Sequence, residues 1–239
     1  MTEATATYTT GQWAKAWAVH WFTATGAFFG LLALFAAINL NWRMCFIWMF
    51  VSIIVDAIDG TFARWANVKK VIPGFDGAML DNIIDFFTYS LLPAAMLYLH
   101  PTLLPNQTTK LIAVAIISIT SGYWFCRTNA KTDDHTFLGF PCYWNIVAVY
   151  FILLNANPWT AFGLIVLLGV LIFIPIKYAY PTRMIRFQTL TLVLSYAWGA
   201  LLVWPVWQFP NHATWPVYLS LAFIVYYMWV SLYMMMPKS

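Results

Sequence analysis

Residues 56–64 read Asp-Ala-Ile-Asp-Gly-Thr-Phe-Ala-Arg, and residues 77–85 read Gly-Ala-Met-Leu-Asp-Asn-Ile-Ile-Asp. These two segments hold four aspartates, Asp56, Asp59, Asp81 and Asp85. The first pair is spaced i,i+3 and the second i,i+4, so each pair lies on one face of a helix. Two such helices facing each other present four hard oxygen ligands, which suit Mg²⁺, Mn²⁺ or Ca²⁺. The sequence therefore predicts a carboxylate metal site between two helices.

The composition is that of an integral membrane protein. Of the 239 residues, 62% are hydrophobic and 8% are charged, whereas about a quarter of the residues of soluble domains are charged. A charged side chain at the bilayer centre costs roughly 2.5–3.5 kcal/mol or more, so the aspartate cluster indicates a function. The net charge of +4 is scattered over helix ends, and we expect no nucleic-acid partner. The three cysteines have neither metal-ligand nor disulfide spacing.

Apolar segments of about 20 residues can cross the ~30 Å hydrocarbon core of a bilayer. We predict an all-α, polytopic membrane bundle of about eight such helices. Their approximate bounds are 21–40, 43–65, 78–99, 109–127, 141–156, 159–178, 188–206 and 214–235. Residues 8–20 alternate Trp, Ala and Lys, which predicts a short interfacial helix before the first span. We expect one domain over residues 1–239, with a six-helix core over about 21–178 and two additional helices over about 188–235.

The basic residues indicate the orientation of the bundle. With eight spans, ten of the twelve Lys and Arg residues fall on the side of the N-terminus, and only Arg43 and Lys110 fall on the other side. Cytoplasmic loops of membrane proteins carry the excess of Lys and Arg. Both termini and all four aspartates are therefore expected on the cytoplasmic side.

The two segments resemble the signature of the CDP-alcohol phosphatidyltransferases, D-x-x-D-G-x-x-A-R followed by G-x-x-x-D-x-x-x-D, with every fixed position present in order. The resemblance implies an enzyme of a bacterial inner membrane that attacks the β-phosphorus of CDP-diacylglycerol and releases CMP. It also implies that Asp56, Asp59, Asp81 and Asp85 hold divalent metal, Mn²⁺ or Mg²⁺ and most simply two ions, with Asp85 as the general base. Such ions are needed because an anionic nucleotide diphosphate cannot bind to bare carboxylates.

The small and basic residues of the motif indicate where CDP binds. Glycine or alanine on the helix faces that carry the aspartates lets a base or a pyrophosphate approach the backbone, although small residues at this spacing also serve helix packing. Arg64 follows Gly60 by one turn and can bind a phosphate through two hydrogen bonds. The predicted CDP and pyrophosphate contacts are Asp59, Gly60, Ala63, Arg64, Gly77 and Asp81.

The acceptor alcohol is predicted from departures from the usual family pattern. Twelve residues, 65–76, separate the two halves of the motif, which is longer than in most members, and eight spans are predicted where the family core has six. Both features resemble the bacterial branch whose acceptor is choline. Choline is a quaternary ammonium ion, which aromatic faces recognise, although Trp and Tyr are also common interfacial anchors. The predicted choline contacts are Tyr89, one turn beyond Asp85, then Trp144 and Asn145.

Two alternatives stay open. The acceptor can be serine, glycerol phosphate or inositol phosphate, in which case basic residues such as Arg127 and Lys131 would form a phosphate pocket. A cation or proton-coupled transporter would also keep carboxylates in the membrane, although no Gly- or Pro-interrupted helix pair of the transporter type is evident. The expected partners are CDP-diacylglycerol, choline and membrane lipids, with a homodimer left open.

Replacement of Asp56 with Ala is expected to abolish binding of Mn²⁺, because the variant loses a carboxylate from the predicted ligand set. Titration of the purified protein with Mn²⁺, followed by the electron paramagnetic resonance of the free ion, measures the affinity. An affinity equal to that of the unaltered protein would remove Asp56 from the ligand set.

Overall fold

The computed structural model describes residues 8–130, 132, 136–184 and 186–235. Lys131 and Lys238, which contribute to the charge asymmetry, lie outside the described residues, as do the first seven and last four positions of the chain. The α-helices, in chain order, are α1 (Thr10–Ile38), α2 (Trp42–Trp65), α3 (Val68–Val71), α4 (Gly77–Asp85), α5 (Leu92–Leu99), α6 (Gln107–Phe125), α7 (Trp144–Leu153), α8 (Pro158–Leu171), α9 (Gln188–Gln208) and α10 (Trp215–Met235).

The predicted all-α membrane bundle is confirmed. Among the described residues, six helices are long and apolar enough to cross a membrane, one of which is the continuous span Gly77–Leu99 made by α4, a π-helical turn (Phe86–Leu91) and α5. The two remaining predicted spans contain the shorter apolar helices α7 and α8. At 1.5 Å per residue these two helices are about 15 Å and 21 Å long, less than the ~30 Å core.

Helices α7 and α8 are short because the chain beside them pairs with itself in extended conformation. Strands β1 (Thr136–Leu138) and β2 (Lys177–Ala179) form a two-stranded antiparallel sheet. Gly139 has a φ of +79°, and a Cβ there would lie 2.2 Å from the carbonyl oxygen of Ile172. Only glycine permits this approach of the two backbones. The helix predicted over 141–156 therefore loses its start, and the helix predicted over 159–178 loses its end, to this sheet and its flanking loops.

The interfacial helix predicted over residues 8–20 is not a separate element. Helix α1 runs without interruption from Thr10 to Ile38. It begins at a capping box, in which the Thr9 side chain accepts from the Gln12 backbone N–H and the Gln12 side chain accepts from the Thr9 N–H. Because the cap satisfies the first orphan donors and no proline follows within the helix, nothing ends it at residue 20.

Two glycines of α1 let the third span, Gly77–Leu99, approach closely. A Cβ added at Gly30 would lie 2.6 Å from Cε1 of Phe87, and one added at Gly26 would lie 3.1 Å from Cγ2 of Ile84. On the neighbouring face, the Ser52 hydroxyl of α2 donates to the Gly26 carbonyl at 3.1 Å. Helix α1 therefore contacts both helices that carry the aspartates.

Replacement of Gly30 with Leu is expected to lower the melting temperature of the detergent-solubilised protein, because overpacking against Phe87 costs about 1–3 kcal/mol. Gly163 of α8 is the matched control, since a Cβ there meets no atom within 4 Å. Gly163→Leu should leave the melting temperature unchanged or raise it, as a helical glycine is replaced by a better helix former. Equal melting temperatures for the two variants would contradict the close contact.

Candidate active site

The loop between α2 and α4 determines how the two pairs of aspartates are presented. Asp56 and Asp59 lie near the end of α2, and Asp81 and Asp85 lie on α4. Asp76 is the N-cap of α4, because its Oδ1 accepts from the backbone N–H groups of Ala78 and Met79 at 3.0 Å each. A carboxylate at this position stabilises the helix start. The fifth acidic residue of the segment therefore begins the helix that carries the second pair.

Three of the four carboxylates converge. One oxygen atom from each of Asp56, Asp81 and Asp85 lies within 4.8 Å of the other two. Oxygen ligands of one Mg²⁺ or Mn²⁺ ion, each about 2.1 Å from the metal, lie up to about 4.2 Å apart, so a small inward movement of these side chains would complete a shared site. Three carboxylates at this separation repel one another and are stabilised by a cation.

Asp59 lies outside this group of three but borders the same space. Its side chain is 7% exposed. Thr23 of α1 lies beside it, and Asp56 and Arg64 are the charged neighbours of Asp59. Asp59 is therefore close both to Asp56, one of the three converging carboxylates, and to the guanidinium group of Arg64.

A small cavity, with room for about one water molecule, is lined by all four aspartates. Hydroxyl groups of Thr23, Ser52 and Thr88 line it together with the carboxylates, so its donor set consists of hard oxygen atoms that fit Mn²⁺ or Mg²⁺. Sequence reasoning missed these three residues. Helical spacing indicates two of them, because Ser52 precedes Asp56 by four residues and Thr88 follows Asp85 by three, which puts each on the same helix face as an aspartate.

The four small or basic residues predicted to bind CDP fall into two groups. A Cβ at Gly60 would meet only Nη1 of Arg64, at 3.4 Å, and the exposed Arg64 contacts the Thr61 hydroxyl at 2.9 Å. This side of α2 is open next to Asp59. By contrast, Ala63 packs against a small apolar cluster of α1–α3 and the following loop, and a Cβ at Gly77 would lie 2.6 Å from Cε1 of His20.

The three residues predicted to bind choline have different surroundings. Tyr89 lies in the π-helical turn, and its hydroxyl donates to Oδ2 of Asp56 at 2.7 Å. Trp144 is fully buried, and its indole N–H donates to the Ser121 hydroxyl at 2.9 Å. Asn145 is 1% exposed, and its Oδ1 accepts from the Ile146 backbone N–H. Its Nδ2 has no hydrogen-bond partner among the described residues.

An aromatic cluster centred on Tyr143 adjoins Tyr89. The Tyr143 ring centroid lies 6.5 Å from that of Tyr89 and 6.4 Å from those of Phe137 and Tyr227. Phe137 in turn stacks on Tyr180 at 4.5 Å. These rings come from the third span, β1, α10 and the loops beside α7 and β2, so no local spacing in the sequence indicates the cluster.

The chain is similar over most of its length to curated bacterial proteins. It is 38% identical to a phosphatidylcholine synthase of Pseudomonas aeruginosa over 185 residues, which cover 77% of each chain. It is 38% identical to that of Legionella bozemanae over 77% of this chain and 88% of the relative. It is 34% identical to that of Agrobacterium fabrum over 89% and 87%. The chain belongs to the phosphatidylcholine synthase family. No protein-family model matches it.

Membership of the phosphatidylcholine synthase family confirms that the chain is an enzyme, a phosphatidyltransferase of phospholipid biosynthesis. Together with the six long apolar helices, it confirms an integral membrane protein. The transporter alternative has no support in either finding. The converging aspartates lie in the part of this enzyme where the sequence motif predicts the reaction to occur.

Proposed function

We propose that this enzyme transfers the phosphatidyl group of CDP-diacylglycerol to choline, with phosphatidylcholine and CMP as products. The observation that carries the proposal is the convergence of Asp56, Asp81 and Asp85 in a cavity between membrane helices. The curated relatives, which are named phosphatidylcholine synthases, support choline as the acceptor. Carboxylates are costly in this environment, and a reaction on a diphosphate substrate gives them a use.

Asp56, Asp59, Asp81 and Asp85 would hold the divalent metal, either Mn²⁺ or Mg²⁺, and four carboxylates are enough for two ions. When bound, the metal supplies positive charge that neutralises the pyrophosphate and the departing CMP. The chain itself contributes the orientation of these carboxylates, because α1 packs against both α2 and the third span. Thr23 of α1 lies beside Asp59 and lines the same cavity.

Asp85 is the proposed general base. It accepts the proton of the choline hydroxyl as the choline oxygen forms a bond to the β-phosphorus of CDP-diacylglycerol. The bond between that phosphorus and the bridging oxygen breaks, and CMP leaves with the bridging oxygen and its electron pair. The proton taken by Asp85 passes to solvent, so the carboxylate is restored for the next turnover.

Gly60 and Arg64 are the proposed CDP contacts with the strongest support, since the helix surface between them is open and adjoins Asp59. A guanidinium group there can bind the diphosphate through two hydrogen bonds. Gly77 and Ala63 remain predicted contacts, but their packing against His20 and the apolar cluster gives each a structural reason to be small.

The aromatic cluster around Tyr143 is the proposed choline site. Aromatic rings whose centroids lie within about 6 Å of a quaternary ammonium ion attract it. Tyr143 and Phe137 lie 6.4 Å apart with an interplanar angle of 89°. Tyr89 links this cluster to Asp56, which would bring the choline hydroxyl toward the carboxylates. The buried hydrogen bond of Trp144 gives that residue a packing role, so Tyr143 is the better supported ligand.

We propose a bacterial inner membrane, with the aspartates facing the cytoplasm, as the asymmetry of Lys and Arg indicates. Arg127, which would belong to a phosphate pocket if the acceptor were phosphorylated, borders a second cavity lined also by Asp81 and Asn82. Its guanidinium donates to the carbonyl of Ile172. The single domain with a six-helix core and the homodimer remain predictions.

The reaction is tested by incubating the purified protein with CDP-diacylglycerol, Mn²⁺ and labelled choline, and measuring labelled lipid together with CMP. Equal amounts of labelled phosphatidylcholine and CMP are expected. Serine, glycerol 3-phosphate and inositol phosphate are tested in parallel. Release of CMP with one of these alcohols and not with choline would overturn the acceptor. Absence of CMP with every acceptor would overturn the reaction.

Replacement of Asp85 with Asn is expected to abolish formation of labelled lipid, because the amide cannot accept the choline proton. Asp76→Asn is the matched control, since Asn caps a helix as well as Asp does and position 76 is not among the cavity-lining residues. This control should keep full activity. Substantial turnover by Asp85→Asn would exclude Asp85 as the base.

Replacement of Tyr143 with Leu is expected to raise the KM for choline roughly 2- to 30-fold, which corresponds to the loss of a cation–π contact of about 0.5–2 kcal/mol. The KM for CDP-diacylglycerol should change by less than roughly twofold. Tyr143→Phe keeps the aromatic face and is the control. Equal effects of Leu on both substrates would indicate general packing and contradict the choline site.

A further inference from the structure

A side chain from the third span reaches across to Asp56 on α2, a carboxylate of the proposed metal site. Tyr89 donates its hydroxyl hydrogen to Oδ2 of Asp56 at 2.7 Å, a contact between residues 33 positions apart in the chain. Asp56 is one of the three residues whose oxygen atoms converge. Tyr89 lies one turn after Asp85 on the third span. It is also hydrogen-bonded to Asp56 on α2, so it connects the two helices that carry the aspartates.

The helix that carries Tyr89 is distorted at that residue. Residues Phe86–Leu91 form a π-helical turn, and the backbone N–H of Leu92 bonds to the carbonyl of Phe87, five residues earlier. The cause lies in Pro93, which has no N–H to donate to the carbonyl of Tyr89 and whose ring would collide with that carbonyl in an α-helix. The wider turn changes the direction of the Tyr89 side chain relative to Asp85. Single π-turns inside α-helices often occur at functional sites.

A hydrogen bond to one carboxylate oxygen has a specific consequence for metal binding. The terminal torsion of an aspartate is broad, so the carboxylate plane turns easily when nothing holds it. A donor 2.7 Å from Oδ2 fixes that plane and so fixes the direction of the lone pairs that a cation meets. Donors of this kind raise metal affinity without touching the metal.

We propose that Tyr89 is a positioning residue, which holds the Asp56 carboxylate in the orientation that binds the divalent cation, and that the π-helical turn produced by Pro93 places it there. This inference rests on the proposed metal site. It differs from the predicted role of Tyr89 as a choline contact, because it assigns the function to the hydroxyl, whereas choline recognition would use the ring.

Tyr89→Phe separates these two roles, since it removes the hydroxyl and keeps the ring. The variant is titrated with Mn²⁺ alone, and the free ion is measured by electron paramagnetic resonance. We expect the dissociation constant for Mn²⁺ to rise roughly 10- to 100-fold, the range for the loss of such a supporting contact. The KM for choline, measured at saturating Mn²⁺, should stay within roughly twofold of its original value.

Tyr150→Phe is the matched control. The Tyr150 hydroxyl is also hydrogen-bonded inside the protein, to the hydroxyl of Ser220 at 2.7 Å, but Tyr150 is not among the residues that line the aspartate cavity. Its loss should leave the Mn²⁺ affinity unchanged. A comparable weakening in both variants would show a general loss of packing and would overturn the positioning role.

Pro93→Ala tests the same proposal without touching Tyr89 or a carboxylate. Alanine restores the N–H and allows a regular α-helix, which would turn the Tyr89 side chain away from Asp56. We expect weaker Mn²⁺ binding together with an unchanged or higher melting temperature. Original affinity in both Tyr89→Phe and Pro93→Ala would overturn the inference while leaving the metal site in place. Absence of Mn²⁺ binding by the unaltered protein would overturn the metal site itself.

Discussion

The mutual repulsion of carboxylates held close together among apolar helices is the constraint on which the rest of the structure depends. Asp56, Asp81 and Asp85 bring oxygen atoms within 4.8 Å of one another, and such an arrangement is stable only where a cation or hydrogen-bond donors compensate the charge. A chain that carries it must supply a rigid frame and a use for the charge. The proposed reaction supplies the use, because a diphosphate substrate would reach carboxylates only through metal ions.

The frame is built largely by α1, although this helix carries none of the aspartates. Its glycines at positions 26 and 30 allow the third span to come within contact of the α1 backbone, and the Gly26 carbonyl accepts from Ser52 of α2. Small residues at helix interfaces are the means by which membrane helices approach one another. Thr23, one turn before Gly26, then reaches Asp59. Helix α1 thus sets the separation of the two helices that present the carboxylates.

The aromatic residues around Tyr143 form the other half of the proposed site. Phe137 and Tyr180 lie at and beside the small antiparallel sheet, and that sheet shortens α7 and α8. The Tyr227 hydroxyl donates to the carbonyl of Ala179 in β2 at 2.9 Å, so helix α10 also holds the sheet in place. The second of the two additional helices predicted at the end of the chain therefore contacts the region proposed to recognise the acceptor.

The sequence by itself determined the membrane class, the approximate positions of the spans and the aspartates that converge, because composition and helical spacing are local properties of the chain. The start of α7 and the end of α8 were not predicted correctly. The pairing of β1 with β2, which joins segments some 40 residues apart, competes with helix formation beside these two helices. The capping box at Thr9 sets where α1 begins, and α1 continues past residue 20 because no proline interrupts it there. Only the tertiary structure decided that Tyr89 bonds to Asp56 and that Tyr143 lies among three other rings. The physical reason is that these contacts join separate helices and strands, whose approach depends on packing and not on any periodicity within one segment.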